Sequence, residues 1–229
     1  MTSPWDVGRA PGRQPIFNIP PIVAWTAAIL IMLYFIFALL PQDKQILLIL
    51  DYAFIPARFT GLPPEYAGFT SDTFGWSVLT MITHAGLHGG LFHVIFNMAW
   101  LLAFGTPVAR AAGGFGYSLI FVLSAVAGAA VFWFFHPLDM VPVVGASGAV
   151  SGMMGAAVRY LFGPGIAPLN DRRLLSFAAV WLVINLMFGL IGFQVGGETG
   201  QIAWEAHVGG FFAGLLLIPL VDRRYRYRA

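Results

Sequence analysis

Six stretches of the chain are apolar at nearly every position: residues 20–40, 91–108, 115–135, 147–163, 174–193 and 202–221. Runs of about 17 to 25 such residues are what an α-helix needs to cross the hydrocarbon of a bilayer. The pattern predicts an all-α membrane protein: one six-helix domain over residues 20–221, a segment 1–19 before it and a basic tail 222–229 after it. The fourth run is the shortest. About 17 residues give about 25 Å of helix against about 30 Å of hydrocarbon, so its start is expected beneath the outer surface. The loop ahead of it, 136–146, holds Pro137, Pro142 and Gly145, and Asp139 is its one acidic residue. That composition suits a segment dipping inward, where irregular backbone is tolerated only against protein or a water-filled cavity. The longest connection, 41–90, is itself partly apolar, with Ile46 to Leu50, Phe54 to Pro56 and Phe74 to Ile82 around Trp76. It is expected to form short helices half sunk at the interface. Two readings stay open for it: a cover on the side of the bundle, or a cap on the helix ends.

Composition reinforces the pattern. Hydrophobic residues make up 59% of the chain and charged ones 10%, with a mean hydropathy of +0.80, well outside the soluble range of about 45–50% apolar and about 25% charged. Basic residues orient the helices, because Lys and Arg in short loops stay on the cytoplasmic side. Arg9 and Arg13 precede the first run, Arg110 follows the second, and Arg159, Arg172 and Arg173 flank the connection after the fourth. Arg223, Arg224, Arg226 and Arg228 close the chain. Both termini are therefore expected inside. The outer side keeps Lys44 and Arg58 and collects Asp43, Asp51, Glu65, Asp72, Asp139, Glu198 and Glu205. The first apolar run is too long and lacks a small-residue cleavage site for a signal peptide, so it reads as a signal anchor. With no cysteine, disulfides, thiol catalysis and cysteine lipidation are excluded. The net charge of +2 rests on inner-face arginines, which point to anionic lipid and not to nucleic acid. No repeat of transporter halves is visible. A compact build of this kind fits a bacterial inner membrane.

Small residues recur every fourth position in two of the runs, Gly148, Gly152 and Ala156 in the fourth and Ala206, Gly210 and Gly214 in the sixth. Such stripes let helix backbones approach in lipid. Pairing them brings Ser147 and His207, each next to the first member of its stripe, together near the outer end of the bundle. Taken singly, Ser147 reads as a helix N-cap and His207 as a hydrogen-bonded interior histidine. His93 and Asn97 change the balance, because they share one face of the second run and polar groups in lipid are costly. Acyl transfer uses all four. His207 takes the proton of the Ser147 hydroxyl and returns it to the leaving amine. His93, Asn97 and the backbone N–H of Ser147 at a helix N-terminus supply donors for the oxyanion of the tetrahedral intermediate.

Gly145-Ala146-Ser147-Gly148, His93-Val94-Ile95-Phe96-Asn97 and Ala206-His207-Val208-Gly209-Gly210 with Gly214 match, in order, the GxSG, HxxxN and AHxxGxxxG signatures of the rhomboid intramembrane serine proteases, and the chain resembles that family from about Thr83 to Val221. The resemblance implies a six-transmembrane-helix rhomboid bundle and a Ser147 and His207 dyad with an oxyanion hole from His93, Asn97 and the backbone at Ser147. It implies cleavage of a peptide bond in or beside a substrate's transmembrane helix, with transmembrane proteins and the bilayer as partners. Neither a metal nor an organic cofactor is implied, and no oligomeric state. Two positions depart from the family pattern. Leu79 and Thr80 stand near where many members carry a Trp-Arg pair, and Ser151 stands where an aromatic ring often stacks on the catalytic histidine. His207 is then expected to be oriented by helix packing or water. Glu205, two residues before His207, points elsewhere on the helix and is set aside as a triad carboxylate.

Rival readings use the same residues differently. His84, His88 and His93 fall close enough to suggest a metal site, although no HExxH occurs and glycines interrupt the stretch. A catalytically silent rhomboid-like scaffold that binds membrane proteins is the alternative outside catalysis; such relatives usually lack the serine or the histidine. A transporter fits worse, since the polar groups gather at one end of the bundle. Asn185, alone in the fifth run, reads as an interhelical hydrogen bond.

Overall fold

The computed structural model describes residues 18–61, 74–163, 165–195, 198–200 and 202–222. Among these, four helices are long and apolar enough to cross a membrane: α1 (Pro21–Ala38), α5 (Leu91–Phe135), α7 (Arg172–Ile191) and α8 (Trp204–Val221). The shorter α6 (Ser147–Val158) lies among them. Before α5 come α2 (Gln42–Tyr52), α3 (Ala57–Thr60), α4 (Phe74–Thr83) and a 3-10 turn, His84–Gly86.

α5 contains two crossing lengths. Its 45 residues are broken at Gly113, where φ is 72°, a backbone state open to glycine and strained for other residues. The two limbs fold back on each other. A methyl group at Gly105, before the break, would lie 3.1 Å from Tyr117 Cε2, after it, and 3.5 Å from Val23 Cγ1 of α1. Proline at the start of α1 costs nothing, because the first amides of a helix have no intrahelical partner.

Burial follows position. α6 is buried from Gly148 to Val158, so it stands inside the bundle. α1 buries only Val23, Ala27 and Leu30, one stripe, and exposes Trp25, Ile29, Met32 and Ile36. α7 likewise buries Leu174, Ala178 and Asn185 and exposes Val180, Ile184, Met187 and Ile191. Helices that are apolar all round yet half uncovered are at home against lipid. α6 and α8 pack backbone to backbone. A methyl group on Gly210 would overlap the carbonyl of Gly148, and one on Gly214 the carbonyl of Gly152. Gly128 of α5 faces α8 in the same way, and a methyl group there would lie 2.6 Å from Ala206 O.

Two boundaries differ from those the apolar runs suggest. α6 ends at Val158, not at 163. Leu161 N donates to Val158 O, tightening the last turn, and the Arg159 guanidinium binds Ala167 O at 2.7 and 2.9 Å and Leu215 O at 2.8 Å. Arg159 is therefore buried, at 7% exposure, and one of its acceptors, Leu215 O, lies inside α8 four residues before Pro219, which has no N–H to bind that carbonyl. The fifth run ends as helix at Ile191, and a short antiparallel hairpin follows, Phe193–Val195 against Glu198–Gly200, which the run of apolar residues does not foretell. The 41–90 connection reaches over the helix ends. Phe54 and Val143 exchange backbone hydrogen bonds of 3.1 and 2.8 Å, and Phe54 packs with Ala129, Phe132 and Ala206. Its α2 buries no side chain and leaves Ile46 and Leu47 exposed. Arg9, Arg13, Glu65, Asp72 and the arginines from 223 onward lie outside the described residues.

Candidate active site

Ser147 opens α6 as its first helical residue, and the N-cap is Ala146, so the reading of Ser147 as a simple cap does not hold. Its position is set by the loop before it. Gly145 has φ of 117°, in the range that excludes most side chains, and its N–H donates to His84 O at 2.9 Å. The space at Gly145 is already taken: a methyl group there would lie 2.6 Å from His93 Nε2 and 3.8 Å from Ser147 Oγ. The His93 ring and the Ser147 hydroxyl thus flank one glycine. Ala146, Gly145 and Gly148 are buried, whereas Ser147, His93 and His207 are each partly accessible. A methyl group at Gly148 would lie 3.4 Å from Ala206 O, which puts the residue after Ser147 against the residue before His207.

Asn97 is buried at 4% exposure on α5, one turn beyond His93, and its Nδ2 donates to His93 O at 2.9 Å. An amide NH2 carries two protons, so one remains for another acceptor. The outer connection fastens this corner. Trp76 Nε1 donates to Asp51 O at 2.9 Å, Thr83 Oγ1 to Tyr52 O at 2.8 Å, and Thr60 Oγ1 to Pro137 O.

His84 and His88 lie outside the crossing helices. Burial holds the His84 imidazole down at about 4, outweighing its 3.0 Å contact with Thr80 O. Burial, and then the neighbouring His93, holds His88 at about 3, with the two rings 5.2 Å apart. Among the described residues no group of three His, Asp or Glu side chains converges in the manner of a metal site. Glu205 turns to His136, whose Nε2 lies 2.8 Å from Glu205 Oε1.

His207 has a partner that sequence reasoning did not assign to it. Its Nδ1 lies 2.8 Å from Asn185 Oδ1 of α7, and Asn185 Nδ2 donates to Trp204 O at 2.9 Å. The second bond is the interhelical one expected of Asn185. The first was hidden because nothing local links residues 22 positions apart.

Comparison with known proteins covers this region. The Rhomboid domain model matches residues 75–224. Rhomboid protease GlpG of Pectobacterium atrosepticum is 34% identical over 181 residues, 77% of this chain and 61% of that protein. Rhomboid protease GluP of Bacillus subtilis is 31% identical over 147 residues, 62% of this chain and 26% of GluP. RHOMBOID-like protein 1 of Arabidopsis thaliana is 29% identical over 154 residues, 66% of this chain. The chain thus spans only about a quarter to three fifths of the length of these relatives.

Proposed function

This chain is an integral membrane protein of the rhomboid family, and from that premise we propose that it is an intramembrane serine endopeptidase cutting a peptide bond in or next to a transmembrane helix of its substrates. The observation that carries the reading is the start of α6, where a partly accessible Ser147 stands beside the His93 ring and α6 is pressed by its glycines onto the helix that bears His207.

In this mechanism Ser147 Oγ bonds to the scissile carbonyl carbon while its proton passes to His207 Nε2. The carbonyl oxygen becomes an oxyanion and accepts hydrogen bonds from the His93 ring, the free Asn97 amide proton and the Ser147 N–H. The C–N bond then breaks, and His207 hands its proton to the departing amine. Water, deprotonated by His207, attacks the acyl ester and releases the second product and the Ser147 hydroxyl. Setting these steps under the rim of the bundle keeps the ionic groups in a low-dielectric pocket where fixed donors act strongly. His207 must be neutral to accept the proton, so cleavage is expected to fall in acid.

We also propose a bacterial inner membrane as its location, with both termini cytoplasmic and the site opening outward, a reading supported by the basic residues in the short loops and termini. The test is cleavage of a single-span substrate in proteoliposomes. Ser147→Ala is expected to abolish products detected by mass while retaining the wild-type melting temperature. Cleavage that survives the substitution would overturn the mechanism. An inert wild-type protein that still retains membrane proteins would favour the scaffold.

A further inference from the structure

We infer that Asn185 of α7 is a positioning residue for the catalytic base, holding His207 in the one tautomer that can accept the serine proton. The inference rests on the Ser147 and His207 reading of the site and adds a third, uncharged member to it.

The argument begins with the amide, whose two ends are chemically different. Trp204 O, 2.9 Å from Asn185 Nδ2, is a carbonyl and can only accept. The amide nitrogen must therefore face Trp204, and the amide oxygen must face His207. That oxygen is also acceptor-only, so the His207 nitrogen 2.8 Å away, Nδ1, has to be the donor. A neutral imidazole with its proton on Nδ1 has a lone pair on Nε2. One backbone carbonyl thus orients an amide, and the amide selects the tautomer.

Helix register holds the amide there. α7 and α8 run antiparallel, and their contacts recur one turn apart. The Trp181 ring stacks on Phe211 at 4.2 Å between centroids, Asn185 meets His207, and Gly189 faces Trp204, where a methyl group would lie 2.7 Å from Cγ. Asn185 shares its face with Leu174 and Ala178, the other buried residues of α7, and is itself 7% exposed. The arrangement also meets the need created by Ser151, which offers no ring to stack on His207. A hydrogen bond in the ring plane fixes the imidazole where a stacking contact is missing.

The test compares Asn185→Leu, which keeps volume and apolar packing but removes the acceptor, with Asn185→Asp, which restores an oxygen acceptor for Nδ1–H. Cleavage kinetics are paired with nitrogen and carbon NMR of the histidine rings; the chain has five histidines, and His207→Gln assigns the signal. Expected for the wild type is a His207 ring protonated at Nδ1. Asn185→Leu should shift that ring toward the Nε2–H form that free imidazole prefers and lower kcat about 10- to 100-fold with little change in KM. The upper figure is what an ångström's misplacement of a catalytic group costs. Asn185→Asp should recover the Nδ1–H signal and part of kcat. An unchanged tautomer and kcat in Asn185→Leu, or an Nε2–H ring in the wild type, would overturn the inference. Should Ser147→Ala still cleave, the mechanism falls, while the ring spectra continue to decide whether Asn185 sets the tautomer.

Discussion

Asn97 has one amide proton engaged by His93 O, so in the proposed mechanism only its second can reach an oxyanion and its loss removes one proposed donor of several. Asn97→Ala is accordingly expected to lower kcat by no more than about 10²–10³-fold with KM nearly unchanged, against complete loss for Ser147→Ala. Equal losses in single-turnover measurements would mean that Asn97 does more than donate. Ser147, His207, His93 and Asn97 stood out in the sequence because each is polar within an apolar run. Asn185 stood out equally, but its role did not, since an amide in a helix does not announce which ring lies opposite. The carboxylate of Glu205 meets His136, across the loop that leads to Ser147, and that pairing needed coordinates.

Elements set these side chains by how closely they approach. α6 and α8 touch through Gly148, Gly152, Gly210 and Gly214, where an added methyl group would overlap a carbonyl of the facing helix. Gly210→Leu should therefore lower the melting temperature in detergent and reduce cleavage together. Overpacking of this kind costs about 1–3 kcal/mol or more. Unchanged melting would deny the contact. The turn from His84 to Gly90 gives a pH prediction. Both His84, at about 4, and His88, at about 3, are depressed below the ordinary 6.5. The unfolded chain takes up protons first as pH falls, so the stability they confer is full above about 6.5 and is lost progressively from there toward 3. Melting temperature should drop between pH 7 and pH 4, and less steeply in a His84→Gln/His88→Gln variant. Parallel slopes would show that other groups govern acid lability.

At the scale of the whole molecule, uncovered apolar faces on α1 and α7 mark the lipid boundary, while α6 is enclosed by its neighbours. A reporter that is active only outside the cytoplasm, fused after residue 229, is expected to stay inactive, and the same reporter inserted at residue 43 to show activity. The reverse pattern would invert the proposed orientation. The helical class, the apolar runs and the polar residues proposed for the site could be picked out in the chain, because lipid imposes a length on every crossing segment and makes any buried polar group conspicuous. The fold-back of α5 at Gly113, the early end of α6 at Arg159, the hairpin after α7 and the bond from Asn185 to His207 could not. Each is decided by where distant backbones meet, and a contact between residues far apart in the chain leaves no local periodicity to be read.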